Sequence, residues 1–262
     1  MRFVTTTPGM TPAEIDAVAK SDLRIELVDQ PRDIEQAFEV LCATFGYQTK
    51  DGIFMAMNPG WAAPEGKTKG TARMVERWQK AARNKDGDLN TTFLKATVPH
   101  PDQEGERLAI GIAIWVQASV VDGYGEAPVE DLRKVMDLEA LCPGNPSEQR
   151  FICQIEHELH KKRIQLVKEK ATASPPAVMV LDLCVVDPAW QGRGIAKKLV
   201  QWGLNEAERR GGLEAITEAS VMGRRVYEKM GFKGVEEIEY EVDAEFADRS
   251  KPSNLFMRTA GP

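Results

Sequence analysis

The stretch Leu181-Asp-Leu-Cys-Val-Val-Asp-Pro-Ala-Trp-Gln-Gly-Arg-Gly-Ile-Ala-Lys-Lys-Leu-Val200 holds the residues best suited to chemistry. An apolar run ends at Val186, a turn with Gly192 and Gly194 follows, and helical apolar spacing begins at Ile195. A strand that passes through a tight turn straight into a helix leaves the first N–H groups of that helix without intrahelical partners. Those donors, together with the helix dipole, suit a phosphate or pyrophosphate. Gly192 and Gly194 have no side chain to block close approach to the backbone, and Arg193, Lys197 and Lys198 add positive charge nearby. An ordinary helix cap has the same local look, so the glycines alone do not separate the two readings. The dinucleotide fingerprint is a different pattern, G-x-G-x-x-G with an acidic residue about 20 positions on, and the Gly-Lys-Ser/Thr of a P-loop is missing. Glu156, His157, Glu158 and His160 share one predicted helix but lack H-E-x-x-H spacing, so they read as a solvated helix face with no metal.

A turn of this kind needs a sheet and packed helices to hold it. Residues 178–186 read as a buried strand, 195–209 as a helix, 213–217 as a strand and 223–230 as a helix, a βαβα order that implies neighbouring parallel strands. Upstream, 23–28 alternates with period two, 33–45 and 71–83 show helical spacing, and 92–98 with 108–116 read as a hairpin. Gly46 is the expected stop of the first of these helices. Residues 46–69 are rich in Gly, Pro and aromatic residues and read as a long loop or broken helix, with Trp61 free to wall a binding site. Residues 122–176 form a helical insertion, 149–170 being its long helix. Two last strands are expected at 235–242 and 255–258. Trp115 and Trp202 are expected in the core. Residues 1–20 read as a flexible arm, and 21–262 as a single domain.

Composition narrows the function classes. With 262 residues, 42% hydrophobic and 28% charged, the chain has the make-up of a folded globular protein. Its net charge is −6, with no segregated basic patch, which speaks against nucleic acid as a partner. Cys42, Cys142, Cys153 and Cys184 form no C-x-x-C pair and read as reduced thiols. No apolar run approaches the ~20 residues of a membrane span, and the N-terminal sequence does not read as a secretory signal. The cytosol is the expected compartment, with the nucleus open. Monomer and homodimer both fit.

The turn together with its flanks resembles the pyrophosphate loop of the GNAT superfamily of N-acetyltransferases. Gln191, Gly194 and Ala196 match that family's Gln/Arg-x-x-Gly-x-Gly/Ala, and Val186 and Pro188 match the end of its preceding strand, with Cys184 where Leu is common. A second block, Ser220-Val-Met-Gly-Arg-Arg-Val-Tyr-Glu-Lys-Met-Gly-Phe232, resembles the family's Asn-x-x-Ala-x-x-x-Tyr-x-x-x-Gly-Phe. Tyr227, Gly231 and Phe232 match; Ser220 and Gly223 replace Asn and Ala, a variant that fungal-type members show. The resemblance covers residues 178–235 by motif and the N-terminal half by element order.

The resemblance implies an α/β fold with a mixed, mostly antiparallel sheet, a central splayed parallel pair and helices on both faces. It also implies an acyltransferase that moves an acetyl group from acetyl-CoA, its cosubstrate, to a primary amine by direct attack in a ternary complex. The acceptor would be a small-molecule or peptide amine. Cofactor contacts would come from Cys184, Val185 and Val186 on the strand, from Gln191, Gly192, Arg193, Gly194, Ile195 and Ala196 in the loop, and from Ser220 and Tyr227. The backbone of Cys184 and Val186 would pair with the pantetheine amides, the Cys184 N–H would steady the thioester oxygen, and Tyr227 would protonate the departing thiolate. A phenol near pKa ~10 and a thiol near ~8.5 are matched closely enough for that transfer. Period-two alternation places Asp182 on the face of Cys184 and Val186, where it would serve as general base or stand as a hydrogen-bonded structural carboxylate. A non-catalytic acyl-CoA-binding module, a larger acyl group and a hydroxyl acceptor remain alternatives.

Overall fold

Strands β2 (Thr91–Pro99), β3 (Arg107–Ala118) and β4 (Val178–Val186) are buried along most of their length, because in the computed structural model both faces of the sheet they form are covered. The structure describes residues 10–260. Four further strands join them: β1 (Arg24–Leu27), β5 (Glu214–Ser220), β6 (Lys233–Glu237) and β7 (Asn254–Arg258). The seven lie in the order β1-β2-β3-β4-β5-β7-β6, and every neighbouring pair is antiparallel except β4 with β5.

One face is covered by α1 (Pro12–Ser21), α7 (Ile195–Arg209) and α8 (Val221–Glu228). Their Ile15, Ala19, Leu199, Val200 and Tyr227 pack on Ala113, Trp115 and Leu181 of the sheet. The opposite face carries α2 (Pro31–Leu41), α4 (Pro64–Gln79) and the end of α6 (Pro146–Glu169), with Ile34, Phe38, Leu166 and Val167 on Ile112, Ile114 and Val180. A smaller cluster joins the start of α6 to α3 (Gly52–Met57), α5 (Leu138–Leu141) and Phe246.

Several expected boundaries move. Residues 1–9 of the expected arm lie outside the described residues, while Pro12–Ser21 is a helix with a Thr11–Glu14 capping box and a buried Ile15. Gly46 does not end the second helix: the chain continues as a π-helical turn, Cys42–Gln48, in which the Trp61 ring occupies the space where a side chain at 46 would stand. The strand expected over 235–242 stops at Glu237, since Tyr240 and Val242 turn away to pack against the small cluster. Residues 164–167 of the expected insertion supply core to the sheet rather than decoration.

Trp115 is fully buried, and its Nε1–H donates to Leu199 O at 3.3 Å. Its ring lies where a Cβ on Gly203 of α7 would stand, 1.9 Å from Cε2. Gly→Ala inside a helix ordinarily stabilises by roughly 1 kcal/mol. Here overpacking against an immobile indole prevails, and Gly203→Ala is expected to destabilise by about 1–3 kcal/mol. Chemical denaturation of the variant against the wild type checks the sign.

Candidate functional site

The parallel pairing of β4 with β5 is short. It joins Val178 to Glu214, Met179 to Ala215 and Val180 to Ile216, and then the strands part. At the parting, the Thr217 hydroxyl donates to Leu181 O at 2.9 Å, taking the place of a ladder bond. On its other side β4 stays paired with β3 through Val186. Asp187 N donates to Ile110 O at 2.8 Å, which sets the hydrogen-bonding phase of this ladder. By alternation, Val185 and Leu183 turn their backbone groups to β3, while Cys184 and Val186 turn theirs into the gap beside β5. The gap therefore has a row of backbone donors and acceptors along one wall, the placement expected for Cys184 and Val186.

At the open end of the gap lies the turn 191–194. Gly192 and Gly194 adopt φ of +79° and +77°, and a Cβ at either would meet nothing within 4 Å. Their requirement is conformational, and the space above them is open. Gly194 is the N-cap of α7, so the N–H groups of Ile195, Ala196 and Lys197 start the helix facing that space. The side chain of Arg193 is turned away: Nε donates to Asp16 Oδ1 at 2.6 Å, and one terminal nitrogen donates to Ala189 O and Gln191 O. Its charge stitches the turn to α1, so the anion-binding capacity of the loop resides in the backbone. Gln191 Nε2 donates to Val186 O at 2.9 Å and exchanges a reciprocal pair of amide bonds with Gln48.

Tyr227 stands near the end of α8, buried, with its ring in the same packed cluster as Cys184. Burial raises both groups, the thiol to about 12 and the phenol well above its ordinary value. The phenol thus keeps its proton, buried in the cluster that holds Cys184 of the gap wall. Gly223 lies one turn earlier, where a Cβ would be 2.6 Å from the Tyr227 ring, so the departure from Ala at this position makes room for the ring. Ser220 is the N-cap of α8 and accepts from Gly223 N at 3.4 Å.

Asp182 is not where alternation puts it. A β-bulge between Ile114 and Trp115 pairs Leu181 with Trp115 and Leu183 with Ile114, leaving Asp182 as the extra residue. The bulge shifts the phase, so Asp182 projects on the α4–α6 face, opposite Cys184 and Val186. There Arg163 NH1 donates to Oδ1 at 2.6 Å and Arg77 NH2 to Oδ2 at 2.8 Å. Burial would raise this carboxyl, but the charges of Arg77 and Arg163 outweigh it and hold it well below the usual carboxylate range. A carboxylate so held is a poor proton acceptor, and the structure favours the structural alternative for Asp182.

Arg163 also donates through Nε to Glu218 Oε1 at 3.0 Å and pairs with Glu218 Oε2. One guanidinium from α6 thus spans β4 and β5 where they separate. His160 and Glu156 lie one and two turns back on α6, largely shielded, with Glu156 Oε2 3.5 Å from His160 Nδ1. They are not the solvated face expected of them. Burial, with the charges of Asp182 and Glu218, pushes Glu156 up to about 7; burial, with Arg163, pushes His160 down to about 3. The overlooked signal was the i, i+4, i+7 spacing of Glu156, His160 and Arg163, contiguous with the apolar Ile164 and Val167. Trp61 packs against Tyr47 and Phe54 on the α2–α3 side.

Residues 164–246 match the model of the acetyltransferase (GNAT) domain family. No curated protein matches the sequence. Among solved structures, arylalkylamine N-acetyltransferase 2 from Aedes aegypti is similar with a TM-score of 0.56 and 18% identity, over 90% of this chain and 97% of that one. The polyamine N-acetyltransferase of Drosophila melanogaster, described as catalysing formation of N-acetylagmatine, is similar with a TM-score of 0.54 and 13% identity, over 90% and 98%. A mosquito arylalkylamine N-acetyltransferase-like 5b protein gives 0.53 and 14%, over the same shares. At these identities the likeness establishes the mixed α/β fold.

Asp182→Asn leaves Arg163 and Arg77 facing an uncharged amide. Breaking one partner of a shielded pair costs about 3 kcal/mol, and a loss of that size in urea unfolding at pH 7 is expected. Because the folded carboxyl lies below its unfolded value of about 3.9, its contribution is complete above that pH and lost as pH falls below it. The difference between wild type and variant should accordingly shrink only in strong acid.

Proposed function

We propose that this chain, a member of the GNAT superfamily, transfers an acetyl group from acetyl-CoA to a primary amine by direct attack within a ternary complex. The observation that carries the reading is the parting of β4 and β5 after Val180 and Ile216, with the backbone of Cys184 and Val186 turned into the gap and a left-handed glycine turn at its end. A pantetheine arm is an extended chain with two amides, and a strand wall with unused donors and acceptors suits it as a missing strand would. The N–H groups opening α7, with those of Gly192, Arg193 and Gly194, suit the pyrophosphate. Val185, on the same strand, keeps the wall straight through its pairing with Ile112.

The protein's own part in the chemistry is placement and proton handling. The Cys184 N–H donates to the thioester oxygen as charge gathers there. Tyr227 delivers its phenolic proton to the departing sulfur; burial keeps that proton on the phenol in the free protein. No side chain is acylated in this scheme. With its thiol pushed to about 12 by burial, Cys184 is a poor nucleophile.

Two experiments test the reading. Calorimetry with acetyl-CoA is expected to show binding by the wild type and at least about 100-fold weaker binding by Gly194→Glu, near 3 kcal/mol, since the new carboxylate repels phosphate and the φ of +77° resists any side chain. Unchanged affinity would return residues 191–196 to an ordinary helix cap. Tyr227→Phe is expected to keep acetyl-CoA affinity and lose about 100-fold in kcat, measured as thiol release with an amine. Sequential initial-rate patterns should accompany it, and an acetyl group found on Cys184 after acid quench would overturn direct transfer.

A further inference from the structure

Across β4 from Cys184 and Tyr227 lies a cavity of about 1040 Å³. Its floor is Val116, Val180 and Asp182 of the sheet, and most of its wall comes from residues 126–163. That wall precedes the segment matched by the family, residues 164–246. The cavity reaches the place where β4 and β5 part: Asp182 lines it and is two residues from Cys184, roughly 7 Å along a strand. Anything seated there faces the gap from the side opposite Tyr227.

The lining has a definite chemistry. Seven carboxylates stand against five Lys and Arg side chains, which favours a cationic guest. Most of the acids already hold a cation: Glu130 has Lys168, Asp131 has Arg133, Glu158 has Lys161, and Asp182 has Arg77 and Arg163. Of the other three, Glu126 accepts from the Thr91 hydroxyl, Glu241 is exposed, and Glu156 is shielded with no Lys or Arg ion pair. Its contact is the imidazole of His160 at 3.5 Å, and that ring is held neutral at physiological pH. Among the described residues, no Phe, Tyr or Trp lines the cavity, so it offers no aromatic face on which an aryl ring would stack.

Building on the acyltransferase reading, we infer that the amine acceptor enters through this cavity, that Glu156 takes the proton from its ammonium, and that the acceptor is an aliphatic amine with a second charged or polar group rather than an arylalkylamine. The proton count closes. Of the three N–H protons of the ammonium, one passes to Glu156 and on to solvent. The neutral nitrogen then forms the new C–N bond as the C–S bond breaks. A second N–H proton replaces the one Tyr227 gives to the thiolate, and the third stays on the amide. Charged and titratable groups bear on Glu156 from each neighbouring element: Asp182 on β4, Glu218 on β5, Arg77 on α4, Arg163 and His160 on α6, and Tyr240 after β6. With burial they leave Glu156 near 7, a value suited to a base at neutral pH.

The test measures kcat and KM for 1,4-diaminobutane and 2-phenylethylamine with saturating acetyl-CoA, on wild type, Glu156→Gln and Glu156→Asp, beside calorimetry of acetyl-CoA. Expected are a kcat/KM at least tenfold higher for the diamine and an acidic limb in its wild-type kcat profile near pH 7. Glu156→Gln should lower kcat about 100-fold and remove that limb, with acetyl-CoA affinity within twofold. Glu156→Asp should keep the limb at reduced rate. Preference for phenylethylamine, or an unaltered rate and profile in Glu156→Gln, would overturn the inference while leaving the acyltransferase reading intact. Failure of the wild type to bind acetyl-CoA would overturn both. If Glu156→Gln does not fold, the wild-type preference and the Glu156→Asp profile decide.

Discussion

The separation of β4 from β5 is the constraint on which the rest of the molecule depends. Parallel strands normally satisfy each other's backbone along their whole length; here the pairing covers Val178–Val180 against Glu214–Ile216 and then stops. Beyond that point unpaired peptide groups face a cleft, which is costly unless each finds a partner. The fold supplies some of them internally. The Thr217 hydroxyl takes Leu181 O, and the Gln191 amide takes Val186 O. What is left along Cys184 and Val186 is a row of backbone groups turned into the gap.

Holding two strands apart needs something between them, and Arg163 fills that role. It reaches from α6 to Asp182 on one strand and Glu218 on the other, with all three side chains largely shielded from solvent. A planar guanidinium has five donors in a fixed fork, so it sets a distance as well as neutralising charge. Arg77 also pairs with Asp182, so two guanidinium charges stand against the two carboxylates. The gap is thus braced on one face by an ionic strap and on the other by Tyr227 and its contact with Cys184.

The same arrangement divides labour between the faces of β4. Cys184 and Val186 belong to the α7–α8 face, with Tyr227 and the glycine turn. Asp182 belongs to the α4–α6 face, with the cavity. One extra residue in the β3–β4 ladder makes this division, because a bulge reverses the alternation of every side chain beyond it.

The strand-turn-helix run around Gly192 and Gly194, the βαβα order and the Tyr227 block were all legible in the sequence, because each depends on neighbours within a few positions: left-handed turns need glycine, and a helix after a strand exposes N–H groups whatever surrounds it. The order of β1 to β5 followed from apolar periodicity for the same reason. Tertiary structure alone decided the rest. Period two predicts the face of Asp182 only if the ladder is regular, and the bulge between Ile114 and Trp115 breaks that regularity. Arg193 carries the right charge in the right turn, yet Asp16, 177 residues away, claims it. Glu156 and His160 look like any exposed helix face until Asp182 and Glu218 arrive from other strands and remove the solvent around them. Charge and burial at a site are properties of what folds against it, and those contacts are distant in sequence.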